Sequence, residues 1–192
     1  MKKIFIILPL LIVVVFSACK KDPEVQKPDN KVLIQQLFQA TMGGFGTMSV
    51  GKSTQPINEQ IDYRMNSSLG GNIHVLGTIT GSFNYNDQTY QFTGGSLNLG
   101  FTQTASDFVF ASEGLNYTMN GAPYVTLTGL FTYLPDMTFG TASSLHYAGG
   151  VRVTGDNYDE TINFDVNIII NSNGTGGTVS GFVGNEQLNY TF

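Results

Sequence analysis

The sequence of 192 residues has one cysteine, two histidines and no tryptophan. A single cysteine excludes a disulfide within the chain, and two histidines with no further ligand at metal-site spacing offer little for a zinc centre. Only nine Lys and Arg residues stand against fourteen Asp and Glu, for a net charge of −5. This balance disfavours nucleic acid and anionic lipid surfaces, which require clustered positive charge. We expect no metal, no cofactor and no nucleic-acid partner.

The long apolar run of the sequence stands at its start. Lys2 and Lys3 precede an apolar stretch from Ile4 to Phe16, and small residues follow it. This is the three-part layout of a secretory signal peptide. The stretch is shorter than the about 20 residues that a membrane-spanning helix needs. We predict that residues 1–18 are a cleaved signal peptide.

Small residues directly precede the lone cysteine. The order Ser17, Ala18, Cys19 resembles the lipobox of bacterial lipoproteins, although Phe16 stands where that family more often has leucine. The resemblance implies that Cys19 carries lipid, becomes the mature N-terminus and attaches the protein to a membrane. It also accounts for an unpaired cysteine in an exported protein.

Residues 19–31 are predicted to form a lipidated, disordered tether. The segment is charged, contains Pro23 and Pro28, and has Val25 as its only apolar residue after the cysteine besides proline. Residues 20–22 also resemble the charged tags that send some lipoproteins to the outer face of the outer membrane. We expect a lipid-anchored protein of the cell envelope, with the outer membrane favoured and both a periplasmic and a surface-facing position left open.

Residues 32–192 are predicted to form a single all-β domain with one short N-terminal helix. Abundant Gly, Thr, Ser, Asn, Tyr and Phe suit strands and turns. The helix is expected over residues 32–42, capped by Asn30 and ended by Gly43 and Gly44. Its apolar residues recur at helical spacing: Leu33, Ile34, Leu37 and Phe38.

Alternation with a period of two dominates the rest of the chain. It is clearest from Ile162 to Ile170, and a stretch from Ile73 to Tyr85 places Gly77 and Gly81 on its apolar face, which indicates bends where a sheet curls. Further strands are expected at 97–101, 108–111, 115–119, 125–133, 151–153, 179–183 and 188–192. Turn signals lie at 86–87, 120–121, 155–157, 173–174 and 184–185. We predict an antiparallel meander that forms a closed or partly closed barrel, with a sandwich as the alternative.

Residues Gly46 to Ser53 match the phosphate-binding loop pattern of Gly, four residues, Gly, Lys, Ser. That loop normally follows a buried strand and opens a helix. Here a helical stripe precedes it and Pro56 follows it, so we interpret the segment as a Gly-rich connection.

Acidic residues raise two other kinds of site. Asp156, Asp159 and Glu160 crowd a predicted turn that has oxygen ligands for calcium but lacks the full spacing of a calcium loop. A surface glycoside hydrolase would need two carboxylates about 5 to 9.5 Å apart across a cleft.

The candidate acids for hydrolysis are Asp107 with Glu113, and Asp165 with a neighbour across the sheet. His74 and His146 could join Asp165 at a zinc ion, but their spacing favours exposed strand histidines. Nothing in these spacings selects a pair, and the lack of tryptophan removes a common sugar platform. We therefore expect that the protein is not an enzyme.

The favoured function is a non-catalytic binding or adhesion module for a small apolar ligand, a glycan or a protein. Rigid, half-polar rings make good contacts, and the candidate contact residues are Tyr85, Tyr90, Tyr117, Tyr124, Tyr133, Tyr147 and Tyr158. The alternative is an outer-membrane β-barrel, because Leu188, Tyr190 and Phe192 alternate at the C-terminus. The two differ in whether the apolar residues of 162–170 face a core or face lipid.

Overall fold

A computed structural model describes residues 25–47, 56–141, 143–174 and 176–192 of the chain. One helix, α1, covers Asn30–Phe45. The strands are β1 Pro56–Asn66, β2 Asn72–Tyr85, β3 Phe92–Ser106, β4 Phe108–Ser112, β5 Leu115–Tyr133, β6 Ser144–Gly155, β7 Tyr158–Ile170, β8 Gly177–Val183 and β9 Glu186–Thr191. The predicted all-β fold with one short N-terminal helix is confirmed.

The strands form a single antiparallel sheet in the order β1-β2-β3-β5-β6-β7-β8-β9. Strand β4 continues the line of β3, and both pair with the same side of β5, which is 19 residues long. Strands β1 and β9 stand at the two ends of the order and do not pair with each other. The meander is therefore confirmed, and the barrel is only partly closed.

The sheet curls around α1. The ring of Phe38 contacts the ring of Phe192 after β9, the hydroxyl of Thr41 lies 2.8 Å from the hydroxyl of Tyr147 in β6, and Gly43 lies under the ring of Tyr63 in β1. One helix thus contacts strands from both ends of the sheet, and the apolar faces of helix and strands share one core.

Strand β7 shows how the alternation builds this core. Its inward side chains are at most 8 % exposed: Ile162, Phe164, Val166, Ile168 and Ile170. Asn163, Asp165 and Asn167 between them are exposed. The apolar residues of β7 therefore face the helix side of the sheet, and the polar ones form its outer surface.

Gly77 and Gly81 provide the predicted bend in β2. Their φ angles are 157° and 154°, in the region that favours glycine. A Cβ at Gly77 would overlap the carbonyl oxygen of Gly100, and one at Gly81 would overlap that of Ser96, both in β3. The two glycines let β2 and β3 approach closely where the sheet curls.

The helix is longer than the prediction of residues 32–42. Its N-cap is Asp29 rather than Asn30, and the Asp29 carboxylate accepts a hydrogen bond of 2.8 Å from the Lys31 N–H. Gly43 and Gly44 lie inside the helix and do not end it. A Cβ at Gly43 would lie 2.5 Å from the Tyr63 ring, so the role of this glycine is close packing.

The predicted tether is too long at its C-terminal end. Pro28 is buried, the Tyr117 hydroxyl donates to the Gln26 carbonyl at 3.1 Å, and the Asp29 N–H donates to the Ser112 hydroxyl at 2.9 Å. Residues 25–29 therefore pack on the domain, because buried proline and backbone hydrogen bonds hold them. The predicted signal peptide and Cys19 lie outside the described residues.

One strand was not predicted, and one predicted turn was wrong. Strand β1 was not anticipated, because Glu59 occupies a core-facing position between Ile57 and Ile61 and hides the alternation. The turn predicted at Asn120 and Gly121 is absent: the chain continues through β5 with a register shift between Gly121 and Val125. The other predicted turns lie between or beside strands, as at residues 156–157 and 184–185.

Candidate functional site

A cleft of about 450 Å³ lies between α1 and the inner faces of β7, β8 and β9. Its volume is in the range of small-molecule sites. The lining residues come from one face of the helix and from the last strands: Lys31, Ile34, Gln35, Phe38, Gln39, Ile168, Val179, Tyr190 and Phe192. This is the part of the interior where the helix and the sheet do not close on each other.

A row of cross-strand neighbours forms the floor of the cleft. Ile168 in β7 is the register partner of Val179 in β8, which is the partner of Tyr190 in β9. Directly opposed residues point to the same face of a sheet, so the three side chains lie side by side. Ile168 and Val179 are each 1 % exposed, so the floor is apolar and closely covered by neighbouring side chains.

The two ends of the cleft differ in chemistry. At one end the Lys31 ammonium lies 5.1 Å from the centroid of the Tyr190 ring, a cation–π contact. Burial, together with the nearby charge of Asp29, raises the pKa of the Tyr190 hydroxyl. At the other end the rings of Phe38 and Phe192 meet edge to face with centroids 6.0 Å apart. The cleft is apolar along its length, and the charged groups of Lys31 and Asp29 lie at one end.

A second groove of about 630 Å³ lies beside the start of α1 and is polar. It is lined by Lys27, Pro28, Asn30, Tyr158, Glu160, Thr161, Ile162, Asn163, Val183, Gly184, Asn185 and Glu186. The Asn30 amide donates to the Glu186 carboxylate at 2.6 Å, and the Tyr158 hydroxyl donates to Glu160 at 3.1 Å. Burial is the main reason that the pKa of Tyr158 rises to about 12. Four polar side chains of this groove are therefore already paired with one another.

The acidic turn between β6 and β7 does not gather its carboxylates around a cation. Asp159 receives two hydrogen bonds from Arg152, of 2.8 and 2.6 Å, and these lower its pKa. Glu160 instead accepts from Tyr158. Across the described ranges, no three His, Cys, Asp or Glu side chains are grouped to hold a metal ion.

The acids and histidines considered for zinc or hydrolysis are also apart. His74 Nε2 lies 2.6 Å from Asp62 Oδ1, and His146 Nε2 lies 2.9 Å from Asp165 Oδ1, on strands β2 and β6 that are separated by β3 and β5. Asp107 and Glu113 flank the five residues of β4, which sets them roughly 20 Å apart by strand rise. That separation exceeds the span of paired glycosidase carboxylates.

No protein-family model, no curated protein and no solved structure matches this chain. The helix of the described residues is not long and apolar enough to cross a membrane. The function must be inferred from the chain's own residues.

The segment that matches a phosphate-binding loop has the opposite surroundings to that motif. Gly46 is the C-cap of α1, and β1 begins at Pro56, so a helix precedes the segment and a strand follows it. Residues 48–55 lie outside the described part of the chain. The surroundings agree with a connection between helix and strand.

Tyr190 was missing from the tyrosines predicted to contact a ligand, yet it lines the cleft. Three of the predicted ones are buried instead: Tyr147 with its hydroxyl on Thr41, Tyr117 with its hydroxyl on Gln26, and Tyr158 with its hydroxyl on Glu160. Tyr158 lines the polar groove. The sequence holds no signal that separates these tyrosines, because their roles depend on strand register.

Proposed function

We propose that this protein is a lipid-anchored protein of the cell envelope that binds a small, mainly apolar molecule in the cleft between α1 and β7–β9. The observation that carries the proposal is the row Ile168, Val179 and Tyr190, which lines an open cleft together with Ile34 and Phe38 of α1. Apolar contact contributes roughly 25 cal/mol per Å² of surface removed from water, so such a floor favours an apolar ligand.

The lining of the cleft supports binding without catalysis. Its polar groups are the Lys31 ammonium, the amides of Gln35 and Gln39, and the Tyr190 hydroxyl. The side chains of the lining include no carboxylate, imidazole, thiol or aliphatic hydroxyl that could serve as a nucleophile or as a general acid and base near neutral pH. The amides suit the orientation of a bound molecule.

The inward direction of the apolar residues in β7 supports a water-exposed domain over the lipid-facing β-barrel. The outer face of β7 carries exposed Asn163, Asp165 and Asn167, with Ile169 as its one exposed apolar side chain. A lipid-facing strand would carry apolar side chains on that face.

The cleft can be tested with the chain that begins at Lys20, which keeps every core residue of the domain. A neutral, environment-sensitive probe such as N-phenyl-1-naphthylamine should bind and brighten. Gln35→Trp, at an exposed helix position, should fill the cleft and weaken binding by about tenfold.

The matched control for Gln35→Trp is Asn189→Trp, on the outer face of β9. Both variants add the same ring at an exposed position of a chain without native tryptophan. The control should bind the probe like the parent chain. Equal probe binding by all three proteins, or none by the parent, would contradict the proposal.

The anchor is tested separately in cells that express the whole precursor. An alkyne fatty acid supplied in the medium should label the parent chain, and Cys19→Ser should abolish the label because the sulfur is the site of acylation. Ser17→Ala, which keeps a small residue before the cysteine, should retain the label. A label that persists in Cys19→Ser would rule out this anchor.

A further inference from the structure

Lys31 is the one cationic side chain that lines the apolar cleft. Its ammonium rests on the face of the Tyr190 ring, and no carboxylate of the described residues forms a salt bridge with it. The closest acid in sequence, Asp29, accepts the Lys31 backbone N–H as the helix cap. The charge at the mouth of the cleft is therefore not neutralised by an ion pair.

Arg152, in contrast to Lys31, forms an ion pair. This side chain has an exposed carboxylate partner, Asp159, at 2.6 Å. Among the described residues Lys27 and Arg64 also lack an ion pair, but Lys31 is the cation that lines the apolar cleft. It provides charge complementarity for an anion that reaches the cleft.

The cleft is also elongated. Lys31 and Phe38 are seven residues apart on α1, which places them about 10 Å apart along the helix axis. Between them the helix faces the apolar floor through Ile34, and the far end is closed by the contact of Phe38 with Phe192. A cation at one end and rings at the other fit a head group followed by a chain.

We infer that the ligand of this cleft is a fatty carboxylate, with its head group at Lys31 and its alkyl chain over Ile168 and Val179 toward Phe38. This inference rests on the proposed function and specifies the ligand class of the same site. A single ammonium matches a single negative charge, whereas a dianionic phosphate demands more donors. The rings and aliphatic side chains remove the chain from water.

The experiment measures displacement of the neutral probe by three molecules with the same alkyl chain: dodecanoate, dodecanol and dodecylamine. In the parent chain dodecanoate should displace the probe at a concentration about tenfold lower than dodecanol, and dodecylamine should be weakest. Lys31→Met keeps the apolar stem and removes the charge, so the preference for the acid should disappear. Lys31→Arg should keep it.

Lys27→Met is the matched control, because it removes the same charge from the polar groove. It should retain the preference, and added salt should reduce that preference in parent and control alike.

Two results would overturn the inference of a carboxylate ligand while leaving the apolar site intact. They are equal displacement by dodecanoate and dodecanol in the parent, and an unchanged preference in Lys31→Met. The inference would also be overturned if none of the three molecules displaced the probe while Gln35→Trp still weakened probe binding. If Gln35→Trp bound the probe as well as the parent chain does, the proposed function itself would be contradicted.

Discussion

The two sides of α1 meet the sheet in different ways. Toward β1 and β2 the helix presents Gly43 and Gly44, and a Cβ at Gly44 would lie 3.2 Å from the Ile61 side chain. Toward β7–β9 it presents longer side chains, among them Gln35 and Phe38, and a cleft of about 450 Å³ remains. The helix is packed tightly on one side of the interior and loosely on the other.

Polar contacts hold the middle of α1 on strands β3 and β6. The Gln103 amide donates to the Leu37 carbonyl at 3.0 Å and to the Thr41 hydroxyl at 2.7 Å, and the Thr41 hydroxyl lies 2.8 Å from that of Tyr147. These side chains are at most 1 % exposed, so water competes little for their hydrogen bonds. The difference between the two sides teaches that a cleft of this size can arise from where a helix is fixed, without a closed barrel around a cavity.

The largest effect on stability is expected from Gly77→Ala. This substitution should disrupt the bend in β2 that brings the β1–β2 end of the sheet onto α1. The Cβ would overlap the Gly100 carbonyl at a φ of 157°, so unfolding free energy should fall by about 3 kcal/mol or more. Gly100→Ala is the control, because its Cβ would meet nothing within 4 Å. Urea denaturation compares the two; equal stability would refute the role of Gly77.

A smaller effect is expected when leucine is placed on either side of α1. Gly44→Leu should cost about 2 kcal/mol, because the side chain has no space beside Ile61 and Val75, and it should move the helix toward β7–β9 and weaken probe binding. Gln39→Leu, on the open side, should change stability by less than about 0.5 kcal/mol. Thermal unfolding and probe titration measure both. Similar losses in both variants would show that the two sides are equally packed.

The smallest effect is expected from Tyr147→Phe, which should cost about 1 kcal/mol near pH 8 by removing one hydrogen bond to Thr41. Burial raises the pKa of Tyr147 above its ordinary value of 10.0 and raises that of Tyr133 to about 12. The unfolded chain loses these protons first, so their contribution to stability is complete below about pH 10 and declines above it.

The parent should therefore lose stability as the pH rises from about 10 to 12, and Tyr147→Phe, with one fewer buried phenol, should lose less. The two stability curves should converge in the alkaline range when urea denaturation is repeated at several pH values. Curves that stay parallel would mean that Tyr147 does not ionise on unfolding in this range.

The sequence predicts those parts of the fold that local alternation determines. The pattern of Ile162 to Ile170 gave the correct strand and buried face, and Gly77 with Gly81 gave the bend. Local patterns failed where a long-range contact decides. In the sequence Gly43 resembles a helix stop, but in the structure it lies inside the helix and packs against the Tyr63 ring.

The candidate site was not predictable for the same reason. Ile168, Val179 and Tyr190 are neighbours only through the register of β7, β8 and β9. Lys31 joins them only because α1 lies inside the curled sheet. A pattern read along the chain contains neither the register nor the position of the helix.

Glu59 has a consequence for how copies of this protein can approach one another. Strand β1 is an edge of the sheet, and an edge strand can recruit a strand of another molecule. Glu59 points to the same face as the buried Ile79 and is itself half-buried. A strand added to β1 would bury this carboxylate further, at a cost in hydration free energy. The inward charge thus opposes edge-to-edge aggregation among domains crowded side by side.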